Sequence, residues 1–217
     1  MSYAEQVAEL VAENKVEEAV QLLLEAVEKE PENPLHYVNL GSLLFEHRQL
    51  DEAEKFFLKA LELDEKMATA HYGLGSVDYE RGKYKEAARA FRACIALNME
   101  DAHLYYLTGM SYIHLHNPLL ALPFLQRATE VKEDLTYFMQ YGLALAKLEH
   151  YSMAEEVFKK VLSLDQDHAD ATYNLAIVKI QKDRYEEGFS LLQRTLELQP
   201  DHTLAKQALD KMRKKEE

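Results

Sequence analysis

A small residue returns at a fixed interval along this chain. Gly41, Gly75, Gly109, Gly142 and Ala176 are spaced by 34, 34, 33 and 34 residues. A second small series, Ala19, Ala53, Ala87, Ala121, Ala154 and Gly188, keeps the same step. A large apolar series follows it: Leu23, Phe57, Phe91, Leu125, Phe158 and Leu192. A fourth runs Ala26, Ala60, Cys94, Ala128, Val161 and Thr195. Four series with one period mean one supersecondary unit copied along the chain. One such unit cannot bury its own apolar surface, so the copies must stack.

The unit Pro34–Met67 carries Leu40, Leu44, Phe57 and Leu61 at helical spacing rather than in strand alternation. His47-Arg48-Gln49-Leu50 interrupts that pattern and divides the unit into two short antiparallel helices. Asp51 is expected to cap the second helix, with Glu52 and Glu54 near its positive end. Gly41 and Ala53 are expected where the two helices cross, and Phe57 fills the wedge beside them. Pro31 and Pro200 stop second helices, because proline cannot continue one. Apolar residues make up 47% of the chain, enough for a core and against disorder.

Tyr37, Leu40-Gly41, Leu44, Ala53, Phe57 and Ala60 resemble the tetratricopeptide repeat signature, and Leu74-Gly75, Tyr84, Ala87 and Phe91 repeat it. The resemblance implies an all-α, right-handed superhelix, a single solenoid over residues 1–217. Its helix-turn-helix units lie near 1–33, 34–67, 68–101, 102–134, 135–168 and 169–202. A cap helix follows over 203–215. On that cap, Leu204, Ala205, Ala208, Leu209 and Met212 are expected to pack inward, with Lys206, Asp210 and Lys211 in water. The stretches Ala121–Ala128 and Gln199–His202 resemble the small stand-alone YrrB-type tetratricopeptide proteins of Gram-positive bacteria.

By the same resemblance, the first helix of each unit lines a concave groove through its fifth, ninth and twelfth positions. These are Val38, Ser42, Phe45; Tyr72, Ser76, Tyr79; Tyr106, Met110, Ile113; Met139, Leu143, Ala146; and Tyr173, Ile177, Ile180. Tyr and Met suit a contact surface that takes a peptide or helix with apolar anchors. Some of these side chains must instead pack between units. The Lys/Asn clamp by which some family members grip a C-terminal carboxylate is missing. Asn39 stands at its centre, but Ala4, Ala8, Thr69 and Gly73 replace its partners. Around Asn174, Met139 and Leu143 do the same.

The fourth unit breaks the pattern. One residue is lost between Glu133 and Gly142, most simply in the junction near Asp134-Leu135. Asn117 and Pro118 suit the start of its second helix. Leu119-Leu120 then stand where other units carry Glu17-Glu18, Asp51-Glu52, Lys85-Glu86 and Glu186-Glu187. Pro123 removes a helical hydrogen bond to Leu119 and predicts a kink. Leu119, Leu120 and Pro123 are therefore a candidate second surface for self-association.

A formal net charge of −13 disfavours a nucleic-acid partner and favours a basic one. The basic cluster Lys211, Arg213, Lys214 and Lys215 reads as a solvated tail. Cys94 has no cysteine partner and reads as a buried thiol in a reducing cytoplasm. No leader is expected at its start, and no apolar run of the sequence reaches membrane-spanning length. His114 and His116 point to different sides of a helix, and no metal motif or phosphate loop occurs. No catalytic set, metal or cofactor is expected. The expected function is a cytoplasmic protein-binding adaptor or scaffold. The alternative is a self-associating subunit that uses its fourth repeat or its ends.

Overall fold

A computed structural model describes residues 3–213, in which thirteen α-helices and no strand occur. Two compact units divide the chain. The first, Met1–Glu100, holds α1 (Tyr3–Ala12), α2 (Val16–Lys29), α3 (Pro34–Glu46), α4 (Leu50–Leu63), α5 (Ala68–Glu80) and α6 (Tyr84–Ala96). The second, Asp101–Glu217, holds α7 (Ala102–His114), α8 (Pro118–Val131), α9 (Leu135–Lys147), α10 (Tyr151–Leu164), α11 (Ala169–Gln181), α12 (Tyr185–Leu198) and α13 (Thr203–Arg213). The hairpins pair odd with even helices, and α13 packs on α12. Met1, Ser2, Lys214, Lys215, Glu216 and Glu217 lie outside the described residues, and with them part of the basic cluster and the end of the expected cap.

The small series exists to seat the large one. Phe57 is buried between α3 and α5. A Cβ on Gly41 would stand 2.9 Å from its ring, and one on Gly73 only 2.3 Å. Gly75 faces Phe91, Gly109 faces Leu125 and Gly142 faces Phe158 in the same way. A methyl group at these sites would force a packed ring, or Leu125 at Gly109, to move, a strain of about 1–3 kcal/mol. The fourth series is buried too, and Ala128 clusters with Ala102 of its own hairpin and Tyr137 of the next. The Cys94 Sγ–H faces the carbonyls of Ala68 and Ala90 at 3.2 and 3.3 Å, and burial pushes its thiol up to about 12.

A fifth periodic series is conformational. Asn14, Arg48, Gly82, His116, Glu149 and Asp183 all sit in the left-handed region, with φ between 56° and 73°. Each joins the two helices of one hairpin. The amide of the next residue donates back to the carbonyl five residues earlier, as Gln49 N–H does to Leu44 O, at 2.8–2.9 Å in all six turns. This is the Schellman closure, which satisfies a carbonyl the ending helix leaves open. It also corrects the reading of Asp51. The residue that closes the turn, Gln49, is at once the N-cap of α4, so the helix starts at Leu50 with no side-chain cap. Asp51 lies in the first turn and its carboxylate pairs with Arg81. Lys15, Lys83, His150 and Arg184 serve as Gln49 does.

Most first helices, by contrast, have side-chain caps. Asn33, Asp101, Asp134 and His168 accept backbone N–H groups at 3.2, 2.8, 2.9 and 3.3 Å. His202 caps α13 the same way, Nδ1 accepting from Ala205 N–H at 3.1 Å. The lost residue is in the junction 132–134, which has three residues where 165–168 and 199–202 have four. Asn117 caps α8 at 3.2 Å, and α8 runs on unbroken through Pro123. Leu204 does not pack inward as expected. Ala205 and Leu209 form the buried face of α13, and Leu204 is 54% exposed.

Candidate functional site

In the first unit, α3 and α5 carry the predicted row. Val38 is buried, Ser42 is exposed and Phe45 is half-buried. Tyr72 is half-buried with its ring 5.8 Å from Phe91, and Tyr79 stands edge-on to Tyr84 at 5.4 Å. Ser76 is buried and donates to the Tyr72 carbonyl at 2.9 Å. Phe45, Tyr72 and Tyr79 are therefore the large side chains of this row that keep surface, each steadied by packing on one side.

The second unit continues the pattern on α7, α9 and α11. Tyr106, Met110 and Ile113 are half-buried, as are Leu143 and Ala146, while Met139 is buried. Tyr106 lies 4.9 Å from the Tyr137 ring and stacks on His103 at 5.8 Å. Burial, with the Asp134 charge adding to it, raises the Tyr106 phenol, and burial raises Tyr173. Both stay neutral hydrogen-bonding groups at neutral pH.

Tyr173, Ile177 and Ile180 line one side of a groove of ≈ 650 Å³. Leu204, Ala208 and Met212 of α13 line it from the facing helix, and Tyr185 lines it too. Gln181, Gln207 and Lys211 supply its polar groups. The Tyr173 ring is held against His202 at 4.8 Å, and His202 Nε2 meets Asp170 at 3.2 Å. Tyr185 and Leu204 were not among the predicted site residues. Leu204 follows the apolar period of α13 and so looks like core, while Tyr185 lies outside the first-helix positions.

An ionic cluster between α10, α11 and α12 was also hidden. Glu155 is buried, 3% exposed, beside Lys179, which is 4% exposed. The Glu155 carboxylate accepts from Lys179 and Lys182, each at 2.7 Å, and from Arg184 at 3.2 Å, with Lys159 at 3.0 Å. Burial alone would raise its pKa, but these cations outweigh burial and hold it well below the usual carboxylate range. Lys179 also reaches Glu187 at 2.9 Å. Glu54 and Arg81 make the matching pair in the first unit at 2.6 Å, again 27 residues apart. Sequence pattern conceals this tie because it joins successive hairpins rather than neighbours on one helix.

On the outer side of the second unit, Leu119 is 65% exposed, Leu120 49%, and Pro123 is exposed as well. Met153, at the position of Leu120 one repeat later, is 51% exposed. Among the described residues no three His, Cys, Asp or Glu side chains are grouped to hold a metal ion.

Three comparisons with known proteins fit this geometry. Residues 5–68 and 68–101 match two tetratricopeptide repeat family models, and residues 120–212 match the middle TPR-like domain of cilia and flagella-associated protein 70. The crystal structure of YrrB, a TPR protein with an unusual peptide-binding site, superposes with a TM-score of 0.85 at 37% identity, covering 88% of this chain and 98% of that one. MamA shares the fold at a TM-score of 0.71 and 19% identity, over 78% of this chain and 93% of that one. Human protein O-mannosyl-transferase TMTC3 is 39% identical over 69 residues, 31% of this chain. The match spans 8% of that curated relative's length.

Proposed function

Since this chain belongs to the tetratricopeptide repeat family, we propose that it is a protein-binding adaptor whose first-helix face takes a peptide or helix of a partner. The observation that carries this reading is the half-buried row Phe45, Tyr72 and Tyr79. These side chains are fixed by packing yet retain surface, so a ligand gains apolar contact at small entropic cost. That YrrB has a peptide-binding site supports a peptide as the ligand. Residues 1–100 contain 11 basic and 20 acidic side chains, so a basic peptide with apolar anchors suits this face. The proposed role is non-enzymatic and cytoplasmic, without cofactor, nucleic acid or membrane, and residues 1–217 act as a single solenoid. No described helix is long and apolar enough to cross a membrane.

The test compares proteins captured by the wild type with those captured by a folded Tyr72→Ala, Tyr79→Ala variant. Partner affinity is expected to fall roughly tenfold or more. Unchanged capture would remove the assignment of this face. A second reading, self-association through Leu119, Leu120 and Pro123, is favoured by the exposed leucines and Met153. Light scattering of the wild type and of Leu119→Glu, Leu120→Glu distinguishes it. A monomer at all concentrations excludes that reading.

A further inference from the structure

We propose that the outer face of α8 and α10 is an interface between two copies of this chain, related by a two-fold axis and closed as a dimer. The inference rests on the self-association reading, which it deepens, and leaves the adaptor reading untouched. Copies could meet through the first and last helices or through the fourth repeat. The first and last helices are built against it. On α1, Gln6 and Glu9 stand one repeat before Leu40 and Leu43, which are buried in one cluster with Ala19 and Leu23 of α2. On α13, Asp210 stands one repeat after Ala176, which is fully buried in one cluster with Leu192. Glu9 and Asp210 are both exposed. A further hairpin stacked on either helix would bury a carboxylate, so neither continues the repeat into a second copy.

The fourth repeat is the reverse case. Leu119, Leu120 and Met153 are exposed, and the charges on the same two helices cancel in pairs. Arg127 meets Glu130 at 3.0 Å, and Lys159 meets Glu156 at 2.9 Å. The first turns of α8 and α10 hold no Asp or Glu, whereas those of α2, α4, α6 and α12 all do. Charge identifies the occupant. Each copy has a formal net charge of −13, so two copies repel wherever their carboxylates face one another. This face is neutral and apolar, and a second copy brings a neutral apolar face to match it. A basic partner gains nothing here. Like meets like only about a two-fold axis, and such a contact closes at two copies. Leu120, between Leu119 in sequence and Met153 one repeat on, is placed beside that axis. Two adjoining helices of 14 residues offer roughly 400 Å² per copy. That lies at the weak end of specific contacts, and a dissociation constant of about 10–100 μM is expected.

The experiment is sedimentation equilibrium of the full-length chain over a wide range of concentration and salt. Monomer and dimer are the only species expected. Their association should strengthen several-fold between roughly 20 mM and 0.5 M salt, as screening removes the repulsion between copies. Leu120→Glu and Leu120→Lys change an exposed position and should leave thermal unfolding unaltered. Each should weaken self-association about tenfold or more, because like charges then meet at the axis. Mixing the two variants should restore the dimer, since residue 120 of one copy faces residue 120 of the other. A monomer at every concentration overturns self-association and this interface together. Assemblies larger than a dimer, a dimer that Leu120→Glu leaves intact, or one that salt weakens would keep self-association and overturn this interface. Mixed variants that stay monomeric overturn the two-fold arrangement.

Discussion

At the scale of single residues, the hairpin turns show how much a backbone can ask of a side chain it does not otherwise use. Five of the six left-handed turn positions hold Asn, Arg, His, Glu or Asp, and one holds Gly82. A β-carbon in this region costs about 1 kcal/mol relative to glycine. Glu149→Gly should therefore stabilise the protein by about 0.5–1 kcal/mol, read as a higher urea midpoint at unchanged slope. A lower midpoint would mean that the Glu149 side chain contributes more than the strain it carries. None of this was legible in the sequence. The series has the same period as the glycines, but its members share a dihedral angle and no chemistry. Asp51 was misplaced for the same reason: a favourable capping residue close to a helix start looks like the cap, while the closing turn had already supplied one through Gln49.

At the scale of elements, α10, α11 and α12 are held by one buried carboxylate. Glu155 and Lys179 are costly to desolvate, and their mutual contact with Lys182 and Arg184 offsets that cost. Because the folded carboxyl lies below its ordinary value of 4.5, its contribution is present above that value. It is lost as pH falls below about 4.5 toward the folded-state value. Glu155→Gln should cost about 3 kcal/mol near neutral pH and should flatten the loss of stability between about pH 5 and pH 2. Thermal denaturation across that range measures both, and parallel curves for variant and wild type would refute the linkage. In sequence, Glu155 and Lys159 make only an ordinary four-apart pair on one helix. The partners that bury the charge come from the next hairpin, 24 to 29 residues away. The α8 start was more readable. Asn117, Pro118 and the uncharged run behind them predicted both the cap and the exposed leucines.

At the scale of the whole molecule, charge is distributed unevenly. Net charge is −9 over residues 1–100 and −4 over residues 101–217, each counted from the sequence with His neutral. Association of a lysine-rich peptide should therefore be steered by the first unit and weaken about tenfold between roughly 20 mM and 0.5 M salt. Stopped-flow rates test this, and a rate indifferent to salt would contradict it. The repeat period made the helices and the fold legible from the outset, since each copy states the same packing rule. The contact row was legible as positions but not as surface. Val38, Ser76 and Met139 occupy the right places in their helices and are buried there. Exposure depends on what the neighbouring hairpin covers, and no single repeat contains that information.

The six turns have a practical use. Their shape is set by main-chain geometry, and apart from the Arg48–Glu80 and Tyr185–Asp183 contacts the side chains there leave the turn unchanged when replaced. Each hairpin consequently carries one attachment point whose chemistry can be rewritten at a small and known cost. With Cys94 enclosed and its thiol held protonated, a cysteine introduced at Glu149 or His116 would be the sole reactive thiol. Dyes placed there would act as distance markers, one per hairpin, for reading how the protein responds when a ligand arrives.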